Sequence, residues 1–457
     1  MPVSPQSLEG GAPAGQTAGV LSKTGAGAKS ALLLLFAINL LNFFDRQLLG
    51  SLGEPIRREF HLSDTALGFL ATFTVIYAFA GLPLGALSDK WYRNRLIAIG
   101  TAFWSLLTAA TGFAQNYAQL FIARLGVGVG EATCAPAGQS LIGDLFPPNQ
   151  RAKAMGVFML GLPAGVFLAY ISAGAIATKY GWRAAFWFAC VPGIILALLA
   201  LRLPEPVRGA LDSGRVVTTA ATGKSAFVAV LSLPTMWWII MSGIFHNFNM
   251  YAINAFNTPF LQRFHELSLL NASYVSSISV GAVGAIGLLA GGWLADKMSA
   301  KRRNGRLVLS AGAMAIAAPC LFMAINQPKG SITTYIIFMT MGTITMYVYY
   351  ATVYTAIQDV IEPRLRGTAV ALYFCFMYIL GASMGPVGTG YLSDHFARKA
   401  MTNAGAGSMT EAFKAIGLHN AMYIIPILAL AAAAVLFAAS RTMEKDVRKQ
   451  ELARHPD

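Results

Sequence analysis

Uninterrupted apolar runs of membrane-crossing length recur twelve times along this chain, and that recurrence limits its fold more than any other feature. An α-helix rises 1.5 Å per residue, so about 20 apolar residues are needed to cross a hydrocarbon core about 30 Å thick. Runs of this kind fall at approximately 31–53, 63–89, 95–114, 117–146, 152–178 and 182–202. A second set falls at approximately 235–262, 271–296, 306–326, 332–360, 367–393 and 417–440. They are continuous where strands of an outer-membrane barrel would alternate, which excludes a barrel. Only 12% of the 457 residues are charged, against about 25% in soluble domains. A soluble enzyme, a disordered chain and a coiled-coil rod are excluded on the same ground. The expected fold is an all-α polytopic membrane protein of 12 transmembrane helices in two pseudo-symmetric six-helix bundles.

The boundaries follow from composition. Residues 1–30 are rich in Gly, Ala and Ser and read as a flexible tail with no cleavable signal peptide. The bundles are expected at 31–202 and 231–441, joined by a polar linker over 203–230, with a C-terminal tail over 442–457. The net charge of +14 sits between apolar runs, which points to membrane orientation rather than nucleic acid. With both termini inside, 23 Lys and Arg fall on the terminus side, nine on the other, and Arg46 and Arg124 within spans. Cytoplasmic loops retain such residues, so a multi-pass inner-membrane protein with both termini cytoplasmic is expected. Cys134, Cys190, Cys320 and Cys375 lie in apolar spans without CxxC spacing and read as buried small side chains, neither a disulfide framework nor a metal site. No cofactor is expected.

The two halves repeat each other. LIGDLFPPNQRAKA (141–154) aligns without gaps to AIQDVIEPRLRGTA (356–369), so that Asp144, Pro148 and Arg151 match Asp359, Pro363 and Arg366. Earlier in each half, the GALSDK stretch ending at Lys90 matches the segment from Gly292 to Lys297, pairing Asp89 with Asp296. Two repeated bundles, neither able to enclose a site alone, suggest a rocking transporter with its cavity between them.

These residues resemble a known superfamily. Gly85 to Arg95, with Asp89, Lys90, Arg93 and Arg95, is similar to the loop signature of the major facilitator superfamily; Tyr92 stands where Gly is usual. The resemblance extends over 31–440. Within the superfamily, NFFDRQ (42–47) and the stretch 124–154 with its GEA and GDLFPP elements resemble the spinster family. That resemblance implies lysolipids or sphingolipid phosphates as substrates, with proton coupling. The sequence also resembles the organic anion:cation symporters, which carry sugar acids with protons and share an acid–Arg pair in the first helix and Arg plus Glu in the fourth.

The buried charges carry their own argument. An ionisable side chain at mid-membrane costs at least ~2.5–3.5 kcal/mol on insertion scales. Asp45, Arg46, Arg124 and Glu131 are the four deepest and sum to zero charge. Arg124 and Glu131, seven apart, share a helix face about 10.5 Å long, and Gln139 is expected to continue it. Asn39, Asn42 and Arg46 form a polar stripe in the first helix. The functional reading gives Arg46 an anionic headgroup, makes Asp45 and Glu131 proton sites, and pairs Arg124 with whichever carboxylate is ionised. The alternative is a static salt-bridge network locking the helices.

The second half has no acid or base at mid-membrane. Its seventh span, FHNFNMYAINAFNTP (245–259), is rich in amides and aromatics instead. His246, Asn249 and Asn254, with Tyr347 and Tyr373, are candidate substrate contacts, with interhelical packing as the alternative for each. Pro259 and Gly243 are candidate hinges of the seventh helix, as are Gly381, Gly385 and Pro386 of the eleventh. The paired loop residues Asp89, Lys90, Arg93, Arg95, Asp144, Arg151, Asp296, Lys297, Asp359 and Arg366 read as a gate closing the cytoplasmic side in one state, or as topology signals alone. No GxxxxGK[ST], HExxH or potassium-filter sequence is present. The expected activity is transport of an amphiphile with protons, by a monomer in the lipid bilayer; a small organic anion, or a lipid-modifying enzyme, are the alternatives.

Overall fold

In the computed structural model the backbone is described for residues 14–208, 224–362 and 365–454. The described residues form an all-helical protein. The first half contains α1 (Ala14–Glu59), α2 (Asp64–Lys90), α3 (Arg93–Phe113), α4 (Tyr117–Glu131 continuing as Cys134–Leu145), α5 (Lys153–Tyr180) and α6 (Trp182–Ala200). The second contains α7 (Pro234–Arg263), α8 (Leu269–Ser299), α9 (Gly305–Ile325), α10 (Ile332–Val360), α11 (Arg366–Asn403) and α12 (Glu411–Met422 continuing as Ile424–Arg454). Ten of these are long and apolar enough to cross a membrane. The exceptions are α4, interrupted at Ala132 and Thr133, and α7, whose amides dilute its apolarity.

Two elements extend past their expected limits. Helix α1 starts at Ala14, inside the stretch read as a flexible tail. Residues 1–13 lie outside the described residues. At the other end α12 runs on to Arg454. Asp446 is buried there and accepts hydrogen bonds from Thr235 N (2.9 Å) and Thr235 Oγ1 (2.5 Å), capping the start of α7. The linker also holds a short helix, Lys224–Leu231; its residues 209–223 lie outside the described ones.

Within the first bundle α1 packs on α5 and α6, and α3 on α4 and α6; in the second, α9 packs on α10 and α12, and α7 on α12. The bundles meet through α1 with α7, α2 with α11, and α5 with α8. The buried apolar residues are not shared evenly. One cluster joins the second bundle to the half of the first farthest from the start of α1, through Leu52, Ile56, Leu67, Tyr170 and Phe186. The near half of the first bundle has a separate cluster around Leu35, Ile38, Trp104, Leu141 and Phe158. The molecule is therefore sealed at one end, the distal end, and divided at the other, the terminal end, where α1 starts and α12 finishes.

Four of the six helices at this seam are irregular at mid-length. A 3₁₀ turn occupies Leu70–Thr72 of α2, α5 breaks at Leu160, and π-helical turns occupy Ser277–Ala282 of α8 and Met377–Ala382 of α11. Gly381, a candidate hinge, lies in the last of these. Helix α7 runs unbroken through Gly243 and Pro259. Cys134 and Cys320 are buried and Cys190 half-buried, but Cys375 is exposed, because it sits on the outer face of α11 opposite buried Tyr373 and Ala369.

Candidate functional site

Arg46 and Glu131 form the centre of the site. Arg46 Nε donates to Glu131 Oε2 at 2.8 Å, with both side chains withdrawn from solvent. Glu131 is the last residue of the first segment of α4, at the point where the helix is interrupted. The guanidinium of Arg46 also lies over the rings of Tyr77 at 4.3 Å and Phe43 at 5.2 Å, which holds a desolvated cation by its aromatic neighbours. Arg124 is fully buried beneath Phe73, 5.0 Å from the ring centroid, and Nη2 reaches the backbone carbonyl of Asp45 at 3.4 Å. Its Nε and Nη1 have no protein partner, nor have Asp45 Oδ1 and Glu131 Oε1. The four charges thus share one region without being saturated by one another. A static lock would use all of its hydrogen-bonding capacity.

A cavity of about 80 Å³ lies between the bundles beside this group. Its wall includes Phe43, Arg46 and Gln47 of α1, Val166 of α5, Tyr251 and Asn254 of α7, and Tyr347 and Tyr350 of α10. Among the sequence candidates, Arg46, Asn254 and Tyr347 therefore line it directly. Glu131 is one hydrogen bond behind, through Arg46. Asn42 and Arg124 are buried inside the first bundle and are not on the wall.

The other candidates belong to the interior of the second bundle. His246 stacks on Tyr349, centroids 3.9 Å apart, with Tyr350 at its edge. Tyr349 OH is within hydrogen-bonding distance of Ser242 Oγ (2.9 Å) and of Tyr373 OH (3.1 Å), and Tyr350 OH donates to Asn247 Oδ1 at 3.2 Å. Asn249 Nδ2 donates to the Ile425 carbonyl at 2.9 Å, a contact between α7 and α12. His246, Asn249 and Tyr373 thus support the wall from behind. Tyr350, one of the tyrosines that the sequence suggests for a cavity wall, is on it, whereas Tyr251 and Gln47 are wall residues that the sequence does not single out. Gln47 Nε2 donates to the Asn254 carbonyl at 2.9 Å and joins the bundles beside the cavity. The register of Gln139 also differs from expectation: the break after Glu131 interrupts the periodicity, and Gln139 is exposed.

The distal end is closed by a charge cluster that the sequence reading did not assemble. Arg263 of α7 donates Nε to Glu54 Oε2 at 2.6 Å, and Nη1 and Nη2 to the two Asp64 oxygens at 2.8 Å each. Arg57 links Glu54 to Glu411 of α12, and Ser393 Oγ donates to Asp64. Asp394 of α11 accepts from the N–H groups of Asp64 and Thr65 at the start of α2, where a helix N-terminus favours an anion. Arg263, Glu54, Asp64 and Arg57 are each at most 7% exposed. Beside them His265, in the turn after α7, is buried with neither ring nitrogen partnered. Burial, aided by nearby His419, lowers its pKa to about 4.

Backbone-to-backbone approach completes the seal. A Cβ on Gly50 would meet the Asn254 carbonyl oxygen at 2.0 Å, on Gly68 the Pro386 oxygen at 2.4 Å, and on Gly390 the Asp64 oxygen at 2.3 Å. Each contact crosses from one bundle to the other.

On the terminal side the repeated loop residues pair inside their own halves. Arg93, fully buried, donates to Asp144, to Ser140 Oγ (2.9 Å), to Glu205 Oε1 (2.7 Å) and to the Pro206 carbonyl (3.0 Å), tying α3, α4 and the linker together. Arg306 at the start of α9 likewise pairs with Asp359 and, at 3.5 Å, with Asp296. Arg151 Nε donates to the Phe146 carbonyl and Arg366 Nε to the Gln358 carbonyl. Lys297 lies over Trp293 and Arg95 over Tyr92. Asp89 is exposed, 4.0 Å from Arg208, and Lys90 lines a surface cleft with Trp91 and Arg208.

The family model of the Major Facilitator Superfamily matches residues 35–386. The chain is 28% identical to an MFS-type efflux pump of Mycolicibacterium smegmatis, over 80% of this chain and 85% of that protein. It is 27% identical to protein spinster homolog 3 of Mus musculus (79% and 74%) and 29% identical to a probable L-galactonate transporter of Escherichia coli (84% and 88%). Among solved structures, it superposes on a bacterial homolog of the human lysosomal transporter Spinster, in an inward-facing and unoccupied conformation, with a TM-score of 0.82 at 28% identity, covering 92% of this chain and 98% of that one.

Proposed function

The chain belongs to the major facilitator superfamily and is a membrane transporter rather than an enzyme, and from that premise we propose that it moves a lysolipid-like amphiphile with a charged headgroup by alternating access, coupled to protons. The observation that carries this reading is the division of the cavity. Arg46, held on Glu131, supplies a forked cation on one wall. Tyr251, Tyr347, Tyr350 and Met250 supply an amphipathic and apolar wall opposite. A headgroup anion binds at Arg46 and takes over its hydrogen bond from Glu131, leaving that carboxylate free to accept a proton. The acyl chain lies along the second bundle.

The sealed distal end and divided terminal end support an inward-facing arrangement; in this reading both termini are cytoplasmic in the inner membrane and the chain acts as a monomer. At about 80 Å³ the cavity is contracted relative to ordinary ligand sites of 300–1,000 Å³, so substrate entry requires the bundles to part. The terminal loop residues Asp89, Lys90 and Asp296 form the clasp of the opposite state.

A second reading, a proton-coupled symporter of a small organic anion such as a sugar acid, is favoured by the L-galactonate transporter relative and uses the same Arg46. The deciding experiment is binding to purified protein of lysophospholipids of graded chain length, sphingoid phosphates and sugar acids of matched charge. Burial of each CH₂ contributes about 0.8 kcal/mol, so affinity should rise steeply with chain length. Binding that ignores chain length, or appears only with gluconate-type acids, selects the second reading.

A further inference from the structure

Asp45 does not face the cavity. Its neighbour Arg46 does, and the Asp45 side chain is directed to the other side of α1, fully buried among α3, α4 and α6. The groups around it are Thr108 Oγ1 of α3, 3.4 Å from Oδ2, and Arg124 and Glu131 of α4. The Trp104 indole of α3 and the Cys190 thiol of α6 also face it.

Helix α3 carries Thr101, Trp104, Ser105 and Thr108 at the 3, 1, 3 spacing that places four residues on one helix face, with Trp104 and Thr108 next to Asp45. All four are fully buried. The hydroxyls of Thr101 and Ser105, the indole nitrogen of Trp104, the Nδ2 of Asn42 one turn before Asp45, and Asp45 Oδ1 have no protein partner. Three such groups along about 6 Å of α3 and two along about 4.5 Å of α1 form a polar seam in a bundle interior otherwise filled by Ile38, Leu96, Ile97 and Leu141. Buried polar groups are ordinarily hydrogen-bonded, and a hydroxyl can accept one proton while donating another.

We infer that Asp45 exchanges its proton through the Thr101–Ser105–Thr108 face of α3, inside the first bundle, and not through the central cavity. The inference rests on the proton-coupled reading given above and adds a route separate from that of the substrate. The step is a simple transfer. The carboxyl O–H of Asp45 releases its proton to a neighbouring oxygen, each oxygen in turn accepts one proton and passes on another, the last to solvent water at the terminal end of α3, and the carboxylate left behind is balanced by Arg124. The flanking guanidinium disfavours a metal cation at the same place.

The test needs no substrate. In the full-length protein in nanodiscs, a pH jump is followed by the infrared carboxyl band that disappears in Asp45→Asn. Thr101→Val with Ser105→Ala should slow that band at least tenfold at unchanged amplitude. Thr101→Ser, which retains the hydroxyl, should restore the Asp45 rate and controls for misfolding. An Asp45 band of unchanged rate in the double variant overturns the route alone. No Asp45 band in the wild type, or one responding to sodium at fixed pH, overturns the proton reading with it.

Discussion

Arg263 Nε lies 2.6 Å from Glu54 Oε2, each side chain only 1% exposed, although the two belong to different bundles. A buried ion pair that bridges two moving bodies exists in only one of their arrangements. Removing one partner of such a pair typically costs about 3–5 kcal/mol, because the other charge is left buried and unpaired. Arg263→Met should therefore disfavour the distal-closed state by that order and widen the separation of the distal ends of α1 and α7, read by spin-label distance distributions. An unchanged distribution would remove Arg263 from the seal.

Asp89→Ala should act in the opposite sense. The exposed aspartate belongs to the clasp proposed for the terminal end, so its loss shifts the population toward the distal-closed state. A coupling energy of about 1–3 kcal/mol corresponds to about 5–150-fold in population. Distances between the terminal ends of the bundles test this, and identical distributions in wild type and variant would argue against the clasp.

Glu131→Gln and Asp45→Asn should each abolish gradient-driven uptake while retaining substrate exchange, since a neutral amide preserves shape but takes up no proton. Accumulation with normal pH dependence in both variants would separate these carboxyls from coupling.

His265 predicts a pH effect on stability. Its folded pKa of about 4 lies below the unfolded value of 6.5, so the unfolded chain binds the extra proton first. The stability contributed by the neutral ring is present above pH 6.5 and is lost as pH falls toward 4. His265→Phe should flatten the fall in Tm over that window; a parallel fall in both proteins would assign it to other groups.

The sequence disclosed the helices, the repeat and the buried quartet, because apolar run length and mid-membrane charge are local signals. It did not disclose the distal cluster. Glu54, Arg57, Asp64, Arg263 and Glu411 sit in the end turns of their helices, where single charges are ordinary, Asp394 lies in the distal part of α11, and only the tertiary approach of α1, α2, α7, α11 and α12 makes them one network. The division of the seventh span into wall and backing was equally hidden. Asn249 and Asn254 are five residues apart in one amide-rich helix, yet one holds α12 and the other borders the cavity. For Gln139, the helix interruption after Glu131 broke the periodicity on which the expectation rested.

Gly50, Gly68 and Gly390 press main chain against main chain where the halves of the molecule meet. At these three points no bulky side chain separates the two main chains, so the fit there depends on the absence of a Cβ. A single methyl group at Gly50 would therefore act as a wedge between α1 and α7, driven against the Asn254 carbonyl.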